Sequence, residues 1–189
     1  MELTKEYAFE ILNDWVKSES LKRHCLSVAF SMEAYAQNFQ EDENKWFITG
    51  LLHDFDYEKY PNLKDHPLKG CEFLRENGFS GDIIQAILGH GNHTGVKRES
   101  LLAKTLFAVD ELSGLILALA HVRPGNFEEM NPKSVSKAIK KKEFAKNISR
   151  KDIEQGIEEL GVDKTEHFQI LINVLSDKSS ELGFNIRFK

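Results

Sequence analysis

Only two of the 189 residues are cysteine, Cys25 and Cys71, and neither sits in a metal-binding or redox spacing. That excludes a disulfide framework as the basis of the fold and fits a reducing, cytoplasmic setting. Proline is scarce at 4 residues and glycine modest at 12, so a collagenous or loop-dominated chain is ruled out. Positive charge is not in excess either. The net charge of −5 and the pI of about 5.8 leave no global field to hold a nucleic acid, and no such partner is expected. The most apolar stretch, Leu112 to Val122, is too short to span a bilayer and reads as a buried helix, so no membrane partner is expected. The opening residues carry acids and no long apolar run, which does not read as a signal peptide. Neither a Gly-x-Ser-x-Gly elbow nor a cysteine with a local helper is present, which disfavours serine and cysteine hydrolases.

What the chain does contain is apolar residues (41%), charge (29%) and thirteen phenylalanines, enough for a bulky core and too much apolar content for a disordered chain. The periodicity is helical almost throughout. Thr4 opens a first segment, with Tyr7, Ala8, Ile11, Leu12 and Trp15 on one face. Ser20 is expected to cap a second running to about Phe39. Acids at Glu41 to Glu43 open a third, where the helix dipole favours them. Pro67 lies just inside a fourth that stops at Asn77-Gly78. Ser80 or Asp82 begins a fifth, and Ser100 caps a long sixth ending near Arg123. Segments Ser134 to Lys146, Ser149 to Leu160 and Thr165 to about Glu181 supply three more. No alternating strand and no internal repeat is evident. The expected fold class is all-α, one domain over 1–189, with a motif-bearing core at 20–122 and a helical extension at 123–189.

Four of the seven histidines and two aspartates fall where chemistry is expected. Asp110 is the strongest anomaly, a carboxylate inside Phe107-Ala108-Val109-Asp110-Glu111-Leu112 on an otherwise apolar helix. A buried carboxylate needs a metal or a strong partner, because leaving it unpaired costs many kcal/mol. Asp54, after Leu51-Leu52-His53, poses the same question. With His24, His53, His66 and His90 these acids make a donor set of imidazole and carboxylate, suited to Zn²⁺, Mn²⁺ or Fe, and the lack of thiolates leans away from a structural zinc. Consecutive helical side chains point about 100° apart. His53 and Asp54 can therefore serve different directions, and Asp54, with two oxygens, can bridge two ions.

These residues carry a resemblance. His24, His53-Asp54 and Asp110, in that order, resemble the HD superfamily of metal-dependent phosphohydrolases. Leu51-Leu52-His53-Asp54-Phe55-Asp56 is similar to the family's Leu-Leu-His-Asp-Ile-Gly, departing at Phe55 and Asp56. His66-Pro67-Leu68-Lys69-Gly70 resembles the family's His-Pro-x-x-Gly, Ala86-Ile87-Leu88-Gly89-His90 its Ala-Ile-x-x-His, and Ala108-Val109-Asp110 its Val-Ala-Asp. The last third resembles the C-terminal segment of a subgroup of small bacterial members. The resemblance implies an HD-type helical bundle with metal ligands His24, His53, Asp54, His66, His90 and Asp110. His93 is the alternative to His90, which the Ala86-Ile87 alignment favours, and His93 otherwise faces substrate. One or two divalent ions are implied, with Fe, Mn, Mg, Zn and Ni not distinguished. The implied activity is hydrolysis of a phosphate ester or anhydride, of a nucleotide or related small phosphorylated molecule, by metal-bound hydroxide.

Asp54 and Glu58 are the expected catalytic residues, Glu58 orienting water or a ligand histidine if the helix persists past Asp54. Lys69 and Arg123 join His93 as candidates for contacting substrate. The basic run Lys137 to Lys151 reads as a solvated face, with a phosphate-holding rim as the alternative. His121 and His167 have no motif and read as core or surface histidines. Two rival classes stay open: a di-iron oxygenase on the same fold, and a non-catalytic metal-binding sensor or scaffold. A homodimer through the C-terminal helices is also open, without a heptad pattern to support it.

Overall fold

The computed structural model describes residues 3–184, and among them every regular element is helical. The order is α1 (Lys5–Trp15), α2 (Glu19–Phe39), α3 (Glu43–Leu52), α4 (Leu68–Glu76), α5 (Gly81–Gly89), a 3₁₀ turn (Asn92–Thr94), α6 (Leu101–Val122), α7 (Pro132–Lys140), α8 (Arg150–Leu160) and α9 (Lys164–Asp177). Most starts are set by side-chain caps that absorb orphan backbone N–H groups. Thr4, Asp42, Ser100 and Ser149 accept from Tyr7, Lys45, Ala103 and Asp152 respectively.

Four boundaries, in three helices, differ from expectation. Ser18, not Ser20, caps α2 by accepting from the Leu21 N–H, so Ser20 lies inside the helix. Asn131 caps α7 with Pro132 in its first turn, ahead of the expected Ser134, and the helix stops at Lys140. It cannot run on to Lys146, because Ala145 takes a left-handed φ of 44° and Arg150 collects the carbonyls of Phe144, Ala145 and Ile148. The ninth helix ends at Asp177, short of Glu181.

α6 is the central element. α2, α5 and α8 pack against it, with α7 and α9 closing further sides. By length and composition alone this 22-residue helix could cross a membrane. In the fold its apolar residues, Leu106, Val109, Leu112 and Ile116 among them, are buried in the common core. α8 reaches it closely at Gly156, where a Cβ would meet the Ala108 Cα at 2.7 Å.

Two features position the His53-Asp54 corner. Gly50 lets α3 lie directly on α2, since an added Cβ would meet Ala29 backbone atoms at 2.8 to 2.9 Å. Trp15 then packs on Phe55 and Phe73, each with ring centroids 4.8 Å away, so α1 and α4 grip the residue after Asp54. Burying a side chain the size of Phe55 stabilises by roughly 1.5–3 kcal/mol.

Gly50→Ala is expected to destabilise the protein by about 1–3 kcal/mol, because the obstruction is backbone and cannot rotate away. Urea unfolding followed by circular dichroism measures this, and an unchanged midpoint would refute the close-approach account.

Candidate metal centre

Five elements deliver six side chains to one point. His24 comes from the second turn of α2, His53 caps the end of α3 with Asp54 next to it, and His66 precedes α4. His90 caps α5, and Asp110 lies midway along α6. The His24 and His53 Nε2 atoms are 3.2 Å apart. Asp110 Oδ1 lies 3.0 Å from the first and 3.4 Å from the second. Asp54 Oδ2 lies 3.7 and 3.5 Å from the same two nitrogens. On the other side, His66 Nε2 and His90 Nε2 are 3.3 Å apart, and Asp54 Oδ1 lies 3.3 and 3.2 Å from them. Asp54 thus turns one oxygen to each group. Donors held about 2.1 Å from a common ion lie roughly 3.0 to 3.4 Å from each other, a spacing that Asp54, His66 and His90 have and that His24, His53 and Asp54, at 3.2 to 3.7 Å, approach.

The protons favour a cation as well. His53 Nδ1 donates to the Gly50 carbonyl at 2.7 Å and His90 Nδ1 to the Ile87 carbonyl at 2.6 Å. Both acceptors lie three residues back, in the last turn of their own helix, where carbonyls lack the regular i+4 partner, and the Ile87 carbonyl also takes the His90 N–H at 3.3 Å. His66 Nδ1 donates to Asp56 Oδ1 at 2.7 Å. With Nδ1 protonated, a neutral ring presents a bare lone pair at Nε2. His66, His90 and Asp54 then converge as three acceptors with no donor among them. Protonating the rings would aim two N–H groups at each other, whereas one divalent ion satisfies all three. The residues therefore fit such an ion.

The electrostatics carry the same signature. Burial alone would lower the pKa of His53, yet the Asp54 and Asp110 carboxylates hold it well above its ordinary value. Burial also works against charge on His66, but Asp54 and Asp56 push it up to about 9. Burial would raise Asp54 and Asp110, and the facing histidines, His53 first, keep both below the usual carboxylate range. Next to them, burial and then the Asp110 charge raise Glu111 to about 7. Cys25, buried behind the cluster, is pushed up to about 12 and stays a thiol.

Other expected site residues are placed elsewhere. Glu58 is fully exposed, and its carboxylate accepts the Lys17 and Ser18 N–H groups at 2.9 Å each. The premise that placed it in the site fails, because the helix ends at Leu52 and residues 53–59 form successive turns. Lys69 is half-exposed and pairs with Glu72 at 2.7 Å. Arg123 is occupied by the Asn126 and Glu128 carbonyls of its own turn. Neither lines the cavity over the cluster. His93 does line it and donates to the His66 carbonyl at 2.8 Å, outside both donor groups. His121 lies at the same cavity, whereas His167 is buried between Tyr35 and the Ala108 carbonyl and is lowered to about 4 by burial. The lysines of the basic run are exposed and do not reach the cavity.

Two residues were missed in sequence. Asp56 is fully buried, holds the His66 ring and also accepts the Gly70 N–H at 2.8 Å. Its position two after Asp54, where the resembling motif has glycine, was the available signal. Arg98 forms a bidentate pair with Glu159 at 2.7 and 2.8 Å and donates to the Gly89 carbonyl and the Asn92 side chain. It ties α8 to the turn that carries His90, and no local pattern marks it.

The HD domain family model matches residues 21–115. No curated protein and no solved structure matches the chain. The matched span holds all six converging residues, while α7, α8 and α9 lie beyond it.

Asp56→Asn should weaken metal binding at the His66–His90–Asp54 group by about 10–100-fold, since the amide supplies one acceptor where two are used. Metal titration reads this, and undiminished affinity would remove Asp56 from the site. A pH dependence follows from His66. Its folded pKa is raised from 6.5 to about 9. The resulting stability is fully present below pH 6.5 and lost as pH rises through about 9. Chelator-treated protein should therefore show a Tm that falls across this window, and His66→Gln should flatten the fall.

Proposed function

The chain belongs to the HD-domain family, and on that footing we propose that it is a metal-dependent phosphohydrolase acting on a phosphate ester or anhydride of a nucleotide or related small molecule. The observation that carries the reading is the two-sided presentation of Asp54, one oxygen to His24 and His53, the other to His66 and His90. His24, His53, Asp54 and Asp110 would hold one divalent ion, and Asp54, His66 and His90 a second. When bound, such ions supply Lewis acidity toward phosphoryl oxygens and lower the pKa of water to near neutrality.

The protein's own part is to position and to exclude. Carbonyls at Gly50 and Ile87 and the Asp56 carboxylate fix three ring orientations before any ligand arrives. The buried surroundings lower the local dielectric and strengthen each charge interaction. Two faces of the cluster remain different: the His24–His53 side backs onto α2 and α6, and the His66–His90 side is flanked by His93. The cavity of about 870 Å³ over it is within the size range of small-molecule sites, roughly 300–1,000 Å³.

Elemental analysis of protein purified without chelator, followed by a screen of phosphorylated metabolites, tests the reading. Two ions per chain and release of inorganic phosphate are expected. Asp54→Ala should remove metal and activity together and leave a helical protein, and turnover retained with half the metal would show that Asp54 is not a bridge. His90→Ala should lower the metal content and His93→Ala should not. Oxygen consumption without phosphate release would overturn hydrolysis in favour of oxygenase chemistry.

A further inference from the structure

The cavity is asymmetric. From Asp110 outward, α6 presents Gly114, Leu117, Ala118 and Val122 to it, at offsets of 4, 7, 8 and 12 that keep them on one helical face. Twelve residues at about 1.5 Å each make this stripe roughly 18 Å long. Phe144 and Ile148, from the turn that Arg150 fastens by its carbonyls, form the facing wall. The two walls nearly meet at Gly114. A Cβ added there would lie 3.5 Å from Ile148 Cδ1 and 3.7 Å from His24 Nδ1, so the missing side chain keeps a passage open between the apolar wall and the donor cluster.

The charges on the lining are few. Outside the six converging residues they are Arg23, Glu111 and Asp152, one cation against two acids. Two divalent ions offset by Asp54 and Asp110 would leave a charge of about +2, which matches one phosphoryl dianion. A di- or triphosphate chain would bring more negative charge and would find Arg23 as the one fixed cation beside His93 and His121, with Glu111 and Asp152 on the same walls. The lysines of 137–151 point to solvent and do not reach it.

We propose that the substrate is a phosphomonoester with an elongated apolar body, its phosphoryl group at the donor cluster and its body lying along α6 between Leu117 and Ile148. This rests on the phosphohydrolase reading and narrows it away from polyphosphate anhydrides. Recognition of the body is by burial of apolar surface, and the trough length sets how much of it is read.

Affinities of n-alkylphosphonates, from methyl to octyl, for the Mn²⁺-loaded protein measure this by calorimetry without requiring turnover. Affinity is expected to rise by about two- to fourfold per methylene until the trough is full. Ile148→Asn should flatten the chain-length dependence and leave methylphosphonate affinity and metal content unchanged. Ala118→Phe, farther along the stripe from the donor cluster, should exclude octylphosphonate while methylphosphonate still binds. If methylphosphonate binds and chain length makes no difference, the inference falls and the phosphohydrolase reading stands. Tighter binding of adenosine monophosphate than of octylphosphonate overturns the inference in favour of a nucleotide body. If no phosphonate binds the loaded protein, both readings fall.

Discussion

Bare imidazole nitrogens and carboxylate oxygens do not gather in a dry interior on their own account. His66, His90 and Asp54 place three acceptors within 3.3 Å of one another, and His53 faces Asp54 and Asp110 with the same deficit of donors. In low dielectric such a group is stable only when positive charge sits among its members. Protons can supply part of it, as the upward displacement of His66 indicates. A divalent ion supplies it with one centre in place of two opposed N–H groups. Most other features near the site serve this charge balance.

The scaffold holds the acceptors in place against their own repulsion. Gly50 sets the distance between α2 and α3, so His24 and His53 meet across a helix pair in close contact. Trp15, Phe55 and Phe73 make the corner after Asp54 rigid through packing. Each ring that turns Nε2 inward through a hydrogen bond at Nδ1 gives up rotational freedom before any ligand arrives, which is the usual way a protein orients metal-ligating imidazole. The helices outside the family match contribute as well. Glu159 and Asp152 of α8 grip Arg98 and Asn92, and with them the turn after His90. The C-terminal segment is thus part of how the centre is held, and Phe144 and Ile148 make it part of how the cavity is shaped.

One helix supplies both the anomalous acid and an apolar wall of the cavity. α6 carries Asp110 on the same face as an apolar stripe, so charge and greasy wall are separated only by Gly114. A helix this apolar has to be buried, and α2, α5 and α8 cover most of it. The stretch near Phe144 and Ile148 is the part that lines the cavity.

The helical class, most helix starts and the six converging residues were legible in the chain, for local reasons. Caps such as Thr4, Asp42 and Ser100 act within three residues, and an acid such as Asp110 inside an apolar run is costly unless something pairs with it, wherever the run packs. Readings that relied on a helix continuing, or on charge alone, did not carry over. Glu58 follows a chain that has already turned after Leu52, and Lys69 and Arg123 found nearby partners in Glu72 and in their own turn. Asp56 and Arg98 stayed hidden because their partners are far away in sequence or reached only through a turn: His66 and Gly70 for the first, Glu159 for the second. Residue identity and spacing determined which donors exist and in what order. Only the packing of α2, α3, α5 and α6 decided which oxygen of Asp54 faces which pair of rings, because that depends on distances between elements that no local pattern encodes.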